Sequence, residues 1–495
     1  MMTAAGEEGP SRQRAFGRER HEAQAQLDGA ETGQPRLGGR GAASESDRFG
    51  RRLFMIALVG LIGRILYVVW VRSSPVGGDG YQYHSAALAL VDGAGFINPL
   101  ARDFLGKMVP DAVHPPAWTL LLAAASALGL RSYLAHQIVA CLLGAAVIAM
   151  TGLAGRAAFG ARVGLIAAGL AAVYPNVWLY ERDVAVEPLA MLGTATTLWL
   201  AYRYRAAPSV GLAAALGAAV ALLALTRSEL IAISLLLVTP LILFSADGNL
   251  ARRVARLTLA GAVSVVCIAP WSLFNLTRFA LFVPLSNGLG SALRAGNCSA
   301  TYDGERLGAD QFACLLFVPK LSEEPSIADR QYRQAALTFI WARIDRLPVV
   351  IAARLGRTFN MFRPFQQVHF EAERGTAIAV LWVALFSYWL LLPFAAAGGL
   401  IARRRGVMIY PLLAFPAVAV LSVALTIGAV RYRAPSEVPL VLLAALSFDA
   451  LLRWRARPSA ESGDASPPHP DRPSAAARPA LDAVALPQNA VSDQH

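Results

Sequence analysis

Apolar runs separated by short polar turns recur from residue 53 to residue 453, each long enough to cross a bilayer. A helix rises about 1.5 Å per residue and the hydrocarbon layer is about 30 Å deep, so about 20 apolar residues make a span. The pattern predicts ten: 53–71, 133–151, 163–180, 184–201, 209–225, 229–246, 256–274, 376–398, 408–428 and 438–453. The turns between them set the orientation. With Arg51 and Arg52 placed inside, the pairs Arg156 and Arg162, and Arg203 and Arg205, fall on the cytoplasmic side. So do the clusters Arg252, Arg253 and Arg256, then Arg403, Arg404 and Arg405, and finally Arg453, Arg455 and Arg457.

One further apolar run, Pro115–Leu130, is short, and counting it as a span would invert every later loop and move the arginines outside. It reads as a helix at the outer surface or only partly inserted, entered through His114-Pro115-Pro116, where proline in a first helical turn costs little. Two outer segments are long, 72–132 and 275–375, and loops of that length are usually folded or functional. The second contains Ala328–Ile344 and Val349–Phe362, amphipathic at helical spacing, with Arg330, Arg333, Arg343, Arg354 and Arg357 on the polar faces. The first span follows a polar segment and lacks a small-residue cleavage site, so it reads as a retained anchor.

The expected organisation is therefore all-α and polytopic. Its parts are a disordered cytoplasmic tail over 1–50, a transmembrane module over 51–274 that includes the outer loop 72–132, an outer cap over 275–375, C-terminal transmembrane helices over 376–455, and a second disordered cytoplasmic tail over 456–495.

Composition supports a membrane protein and changes how its charge is read. Hydrophobic residues make up 56% and charged residues 16%, more apolar surface than a soluble domain needs. A net charge of +12 would suggest nucleic acid in a soluble chain, but here the arginines lie in inter-helix turns and the N-terminal segment, so orientation in lipid accounts for them and no nucleic acid is expected. Lysine occurs only at Lys107 and Lys320, as in the codon usage of a GC-rich bacterial genome. Cys141 and Cys267 fall inside spans, where a thiol acts as a small hydrophobe. Cys298 and Cys314 share the second outer loop, in GNCSATYDGERLGADQFAC, and are expected to form a disulfide there. No His lies near them, which leaves too few ligands for zinc.

The candidate chemistry collects on the outer side. Asp79, in GGDGYQYH, follows the first span and is succeeded by Tyr81, Tyr83 and a helical stretch. It could take a proton from an alcohol at the membrane surface or simply cap that helix. A second acidic group, YERDVAVEP, carries Glu181, Asp183 and Glu187, the last at the bilayer boundary, where an ionised side chain is costly and marks a functional candidate. The macrodipole of the helix it begins offers the structural alternative. Arg227 in TRSE, and Arg431 and Arg433 in RYRAPSEVP, lie opposite the cytoplasmic clusters. They are suited to a protein carboxylate such as Glu187 or to a phosphate, both of which match the guanidinium fork.

The acid after the first span, the HPPAW entry to a surface helix, the EP opening the fourth span and the terminal RYR-x-P resemble, in that order and sidedness, the GT-C glycosyltransferases. The likeness is to the family 39 group, which includes protein O-mannosyltransferases and the lipid A aminoarabinose transferase, and it covers roughly residues 50 to 450. It implies a hexosyl- or pentosyltransferase of the bacterial inner membrane that uses a polyprenyl-phosphate sugar donor on the extracytoplasmic face. Asp79 would then be the catalytic base and Glu187 a second active-site acid. Arg227, Arg431 and Arg433 would meet the donor phosphate, and Tyr83, His114, Glu181 and Asp183 would belong to the substrate site. Where many members have Asp-Glu, this chain has Asp79-Gly80, which weakens any expectation of a divalent metal. The acceptor is a protein, lipid or glycan hydroxyl, and membrane lipid is the other partner. An O-antigen ligase or polymerase would be expected to carry an outer loop richer in His than 275–375, which has His369 alone. A transporter would place its polar groups at mid-membrane.

The arginine pattern makes a direct topological prediction. In a Cys-depleted variant, a thiol introduced by Asp310→Cys should react with an impermeant reagent from outside, and one introduced by Arg404→Cys only after permeabilisation. Labelling of the second in intact cells would overturn the ten-span arrangement.

Overall fold

The computed structural model describes residues 38–71, 78–246, 248–319, 321–373 and 375–456. The chain packs as one unit up to Leu452, and of the unit Arg453–His495 only the end of the last helix and residue 456 are described. The tail expected over 456–495 therefore lies outside the described residues but for its first, as does the N-terminal tail up to residue 37.

Among the described residues the fold is all-helical, with one isolated antiparallel bridge between Ile97 and Pro110. Helical segments stand at all ten expected spans: Gly38–Val71, Tyr133–Phe159, Ala161–Val173 continued by Pro175–Glu181, Glu187–Ala206, Val210–Thr226, Ser228–Leu243, Leu250–Leu276, Ile378–Arg404, Tyr410–Leu425 and Ala434–Arg455. Five helices are long and apolar enough to cross a membrane by length and composition, and the bent pair makes a sixth. The first helix starts before the apolar run because Phe49 and Leu53 are buried, with the Arg156 guanidinium 4.5 Å from the Phe49 ring.

Two spans depart from the straight helices expected, and proline accounts for both. The third bends by 74° at Tyr174, which precedes Pro175 and is pushed to extended backbone (φ −73°, ψ 115°). The sixth runs as a 3₁₀ turn over Ser228–Ala232, a π turn over Ser234–Val238 and an α turn over Thr239–Leu243. Pro240 has no N–H to give the preceding turn, and the Thr239 hydroxyl caps the Ser234 carbonyl at 2.8 Å.

Small residues let the helices approach closely enough to bury charge. Arg64, two turns before the end of the first helix, donates to the Glu181 carboxylate at 2.5 Å and to the Ala171 carbonyl at 3.0 Å, with both charged side chains almost wholly enclosed. Gly144 leaves the space, since a Cβ there would collide with both ions. Near the opposite end of the bundle, Arg162 reaches the buried Asp449 at 2.9 Å.

The expected surface helix is Ala117–Ala127, and its 11 residues are about half a span. It packs on Gly78–Val91 through Tyr83, Ala87, Trp118 and Leu122. The segment 275–375 folds around the bonded pair Cys298–Cys314, with helices Pro325–Ala342, Leu347–Thr358 and Pro364–Ala372. Arg354 and Arg357 do not lie on a polar face as the periodicity predicts. Both are fully buried, Arg354 donating to the carbonyls of Ala424 and Gly296, and Arg357 to those of Leu307 and Glu305. Helical spacing located a common face but not which neighbour covers it.

The enclosed Arg64–Glu181 pair makes Gly144→Ala an overpacking change with no free side to relax into. It should cost about 1–3 kcal/mol, read as a lower melting temperature of the purified protein in lipid. An unchanged melting temperature would mean that the helices separate there without cost.

Candidate active site

Several stretches of chain meet around a cavity of about 1280 Å³, into which Asp79, Tyr83, His114, Glu187, Arg227 and Arg431 all face. Asp79 sits in the first turn of the helix Gly78–Val91, where the macrodipole favours a carboxylate. The next residue has to be glycine at this packing distance: a Cβ at Gly80 would strike the Asp183 carbonyl oxygen and crowd the Tyr133 hydroxyl. The departure from Asp-Glu noted in the sequence is therefore a close approach between two segments that both line the cavity.

Glu187 opens the helix Glu187–Ala206, with Pro188 in its first turn. The loop before it is held under tension. Val184, a β-branched residue, has φ 51°, a conformation that costs about 1–3 kcal/mol. Its carbonyl accepts from Trp118 Nε1 at 2.8 Å, and the Arg182 carbonyl accepts from Gln137 Nε2 at 2.6 Å. Trp118 and Gln137 thus position Glu187 without touching it.

Arg431 joins the two acids. Its Nη1 donates to Asp79 Oδ2 at 2.6 Å and its Nε to Glu187 Oε1 at 2.9 Å. Arg227 supports the same carboxylate oxygen at 3.3 Å, reaches Glu229 at 2.8 Å, donates to the Arg431 carbonyl at 3.2 Å and lies 4.9 Å from the Tyr432 ring centroid. The charges are layered by depth: Glu187 is wholly buried and Arg227 8% exposed, whereas the Asp79 and Arg431 side chains are 30% and 27% exposed. Oxygen Oε2 of Glu187 is buried with no hydrogen-bond partner.

Tyr83 is buried against the His114 ring, centroids 4.7 Å apart. Burial, and next the Asp79 carboxylate, push its phenol well above the ordinary value, so at neutral pH it is a hydroxyl. Asp183 also lines the cavity, paired with Arg182 at 2.9 Å and accepting from the Thr376 hydroxyl at 3.3 Å; burial raises its carboxyl while the Arg182 charge opposes that.

Two expected site residues stand elsewhere. Glu181 does not line the cavity, because the Arg64 guanidinium holds it inside the bundle. Arg433 does not line it either. Its Nε goes to Glu437 at 2.6 Å, its Nη1 to the Thr358 carbonyl at 3.0 Å and its Nη2 to Asn176 at 3.3 Å, with the Tyr388 ring 3.6 Å away. Those contacts occupy its donors and leave it 1% exposed, so no phosphate reaches it. Sequence reasoning missed Tyr432 and Glu229 as site residues, although both are neighbours of arginines it had singled out. Among the described residues no three His, Cys, Asp or Glu side chains are grouped to hold a metal ion. The ground between Asp79 and Glu187 is taken by the Arg431 guanidinium.

No family model matches the chain, and no curated protein does. Among solved structures it is similar to the archaeal oligosaccharyltransferase AglB from Archaeoglobus fulgidus in complex with an inhibitory peptide and a dolichol-phosphate, at TM-score 0.47 and 17% identity over 81% of this chain and 51% of that one. It is also similar to ArnT from Cupriavidus metallidurans bound to undecaprenyl phosphate, at TM-score 0.40 and 16% identity over 82% of this chain and 78% of that one. The chain spans about half the length of the oligosaccharyltransferase. Likenesses of this size concern the course of the backbone.

The two arginines of RYR should separate on stability. Arg433→Ala strands a buried Glu437 and should cost about 3–5 kcal/mol, whereas Arg431→Ala, at a partly exposed position, should cost less. Equal losses of melting temperature would refute the distinction.

Proposed function

We propose that this integral membrane protein is a glycosyltransferase that moves a sugar from a polyprenyl-phosphate donor to an acceptor hydroxyl at the extracytoplasmic face, with inversion at the anomeric carbon. The observation that carries the reading is the arrangement at Arg431, where a partly exposed carboxylate and a partly exposed guanidinium share one large cavity and are backed by buried charges. Lipid-linked phosphate needs a fixed cation, and an attacking hydroxyl needs a base beside it.

The acceptor oxygen attacks the anomeric carbon as its proton passes to an Asp79 carboxylate oxygen. A new carbon–oxygen bond forms while the bond from the anomeric carbon to the phosphate oxygen breaks. Its electron pair leaves with the polyprenyl phosphate, whose added charge falls to Arg431 and, behind it, Arg227. Phosphate needs no protonation to depart. Glu187 orients both arginines, and Tyr83, held as a neutral hydroxyl, can donate to a sugar or phosphate oxygen. A transporter would need its polar groups half-way through the bundle, whereas these gather where the helices Gly78–Val91, Glu187–Ala206 and Val210–Thr226 begin or end.

Asp79→Asn tests the assignment, because the amide keeps the shape of the side chain and cannot take the proton. Turnover with a polyprenyl-phosphate sugar should fall about 100-fold or more, while the stability lost is that of one partly exposed ion pair, about 1 kcal/mol or less. Product formation followed by mass spectrometry across a panel of sugars would identify the substrate as well. Near wild-type transfer by the Asn variant would pass the role of base to Glu187.

A further inference from the structure

The two edges of the Arg431 guanidinium lie in different surroundings. On one, Nε is held by Glu187, which has no exposure and is also gripped by Arg227. On the other, Nη1 is held by Asp79, which is 30% exposed to the cavity. One contact is built into the bundle, and the other can be exchanged with whatever enters.

We propose that the Asp79–Arg431 ion pair is a lock that the donor itself opens: the lipid phosphate takes the place of Asp79 on Arg431, and the carboxylate so released is the one that receives the acceptor proton. The inference rests on the glycosyl-transfer reading and adds an order of events to it. With no donor bound, Asp79 Oδ2 is committed to the guanidinium across 2.6 Å. A phosphate group presents two oxygens to the guanidinium fork at once, so it can compete with Asp79 for that edge of Arg431. Glu187 keeps Nε throughout, and the arginine therefore does not follow Asp79 out of place. Glu187 is in this sense a positioning residue, acting through Arg431.

The exchange runs backward after transfer. Asp79, having taken the acceptor proton, passes it to water, and the renewed carboxylate competes with the polyprenyl phosphate for Nη1. A base that becomes available only when the donor has bound also keeps the cavity unreactive toward an acceptor that arrives first.

Binding of a lipid phosphate without its sugar isolates the exchange from the chemistry. The probe is undecaprenyl phosphate, titrated into full-length protein in nanodiscs and followed by intrinsic tryptophan fluorescence. Removing a competing partner should tighten binding, so Asp79→Asn should bind about fivefold better than wild type, the worth of one partly exposed ion pair, although it has lost turnover. Asp79→Ser removes the same charge and should do likewise, which guards against misfolding of one variant. In an Arg431→Gln background the same Asp79→Asn change should gain less than twofold, since the competition passes through Arg431.

Binding by Asp79→Asn and Asp79→Ser no tighter than wild type, in proteins of normal melting temperature, would overturn the lock and leave the glycosyl-transfer reading standing. An equal gain in the Arg431→Gln background would also overturn it, showing only long-range repulsion between two anions. Failure of the wild-type protein to bind undecaprenyl phosphate at all would strike the reading on which the inference rests.

Discussion

The Arg431 guanidinium is shared between Asp79 at 2.6 Å and Glu187 at 2.9 Å, and the depth of the site makes that sharing a requirement of the fold. An ionised group enclosed by helices loses its water and must find opposite charge or carbonyl oxygens instead. Glu187 meets this need through two arginines, and Arg227 through two carboxylates and a backbone carbonyl. The segments that deliver these groups are consequently tied to one another at the cavity, whatever else joins them.

The same constraint recurs away from the cavity with a different result. Arg64 with Glu181, and Arg433 with Glu437, are one-to-one pairs closed off from the cavity, and Arg354 and Arg357 are satisfied by carbonyls. All are cations that the fold has used up. Arg431 differs in being held firmly on its buried edge and exposed on the other, so that charge can be offered to a ligand without the side chain losing its place. Local strain works in the same direction. Val184 is kept in a left-handed conformation by Trp118, and the short helix that carries Trp118 also packs on the helix that holds Asp79 in its first turn. Both acids are thus positioned from one small core beside the cavity.

Much of the architecture was legible in the order of residues, because it depends on one-dimensional quantities. Length of apolar run against bilayer thickness placed ten helical segments, the sidedness of arginines kept Pro115–Leu130 from being counted as a span, and a shared loop paired Cys298 with Cys314. The candidates Asp79, Glu187, Arg227 and Arg431, with Tyr83, His114 and Asp183, do meet at one cavity. Ionisable groups at span ends are rare enough to be noticed individually.

What remained for the tertiary structure was the choice of partner. Arg431 and Arg433 are two residues apart and alike in the sequence, yet one faces the cavity and the other is sealed against Glu437, because neighbouring residues of the turn point to different neighbours. Glu181 and Glu187 separate for the same reason, and Gly80, which reads as a missing carboxylate, is the space that lets Asp183 approach. The sequence by itself determined where the apolar helical segments stand and which residues would be costly in a membrane. Only the packed helices decided which of those costs are cancelled within the fold and which are left for a ligand, since pairing depends on distances between segments that lie up to 352 residues apart, as Asp79 and Arg431 do.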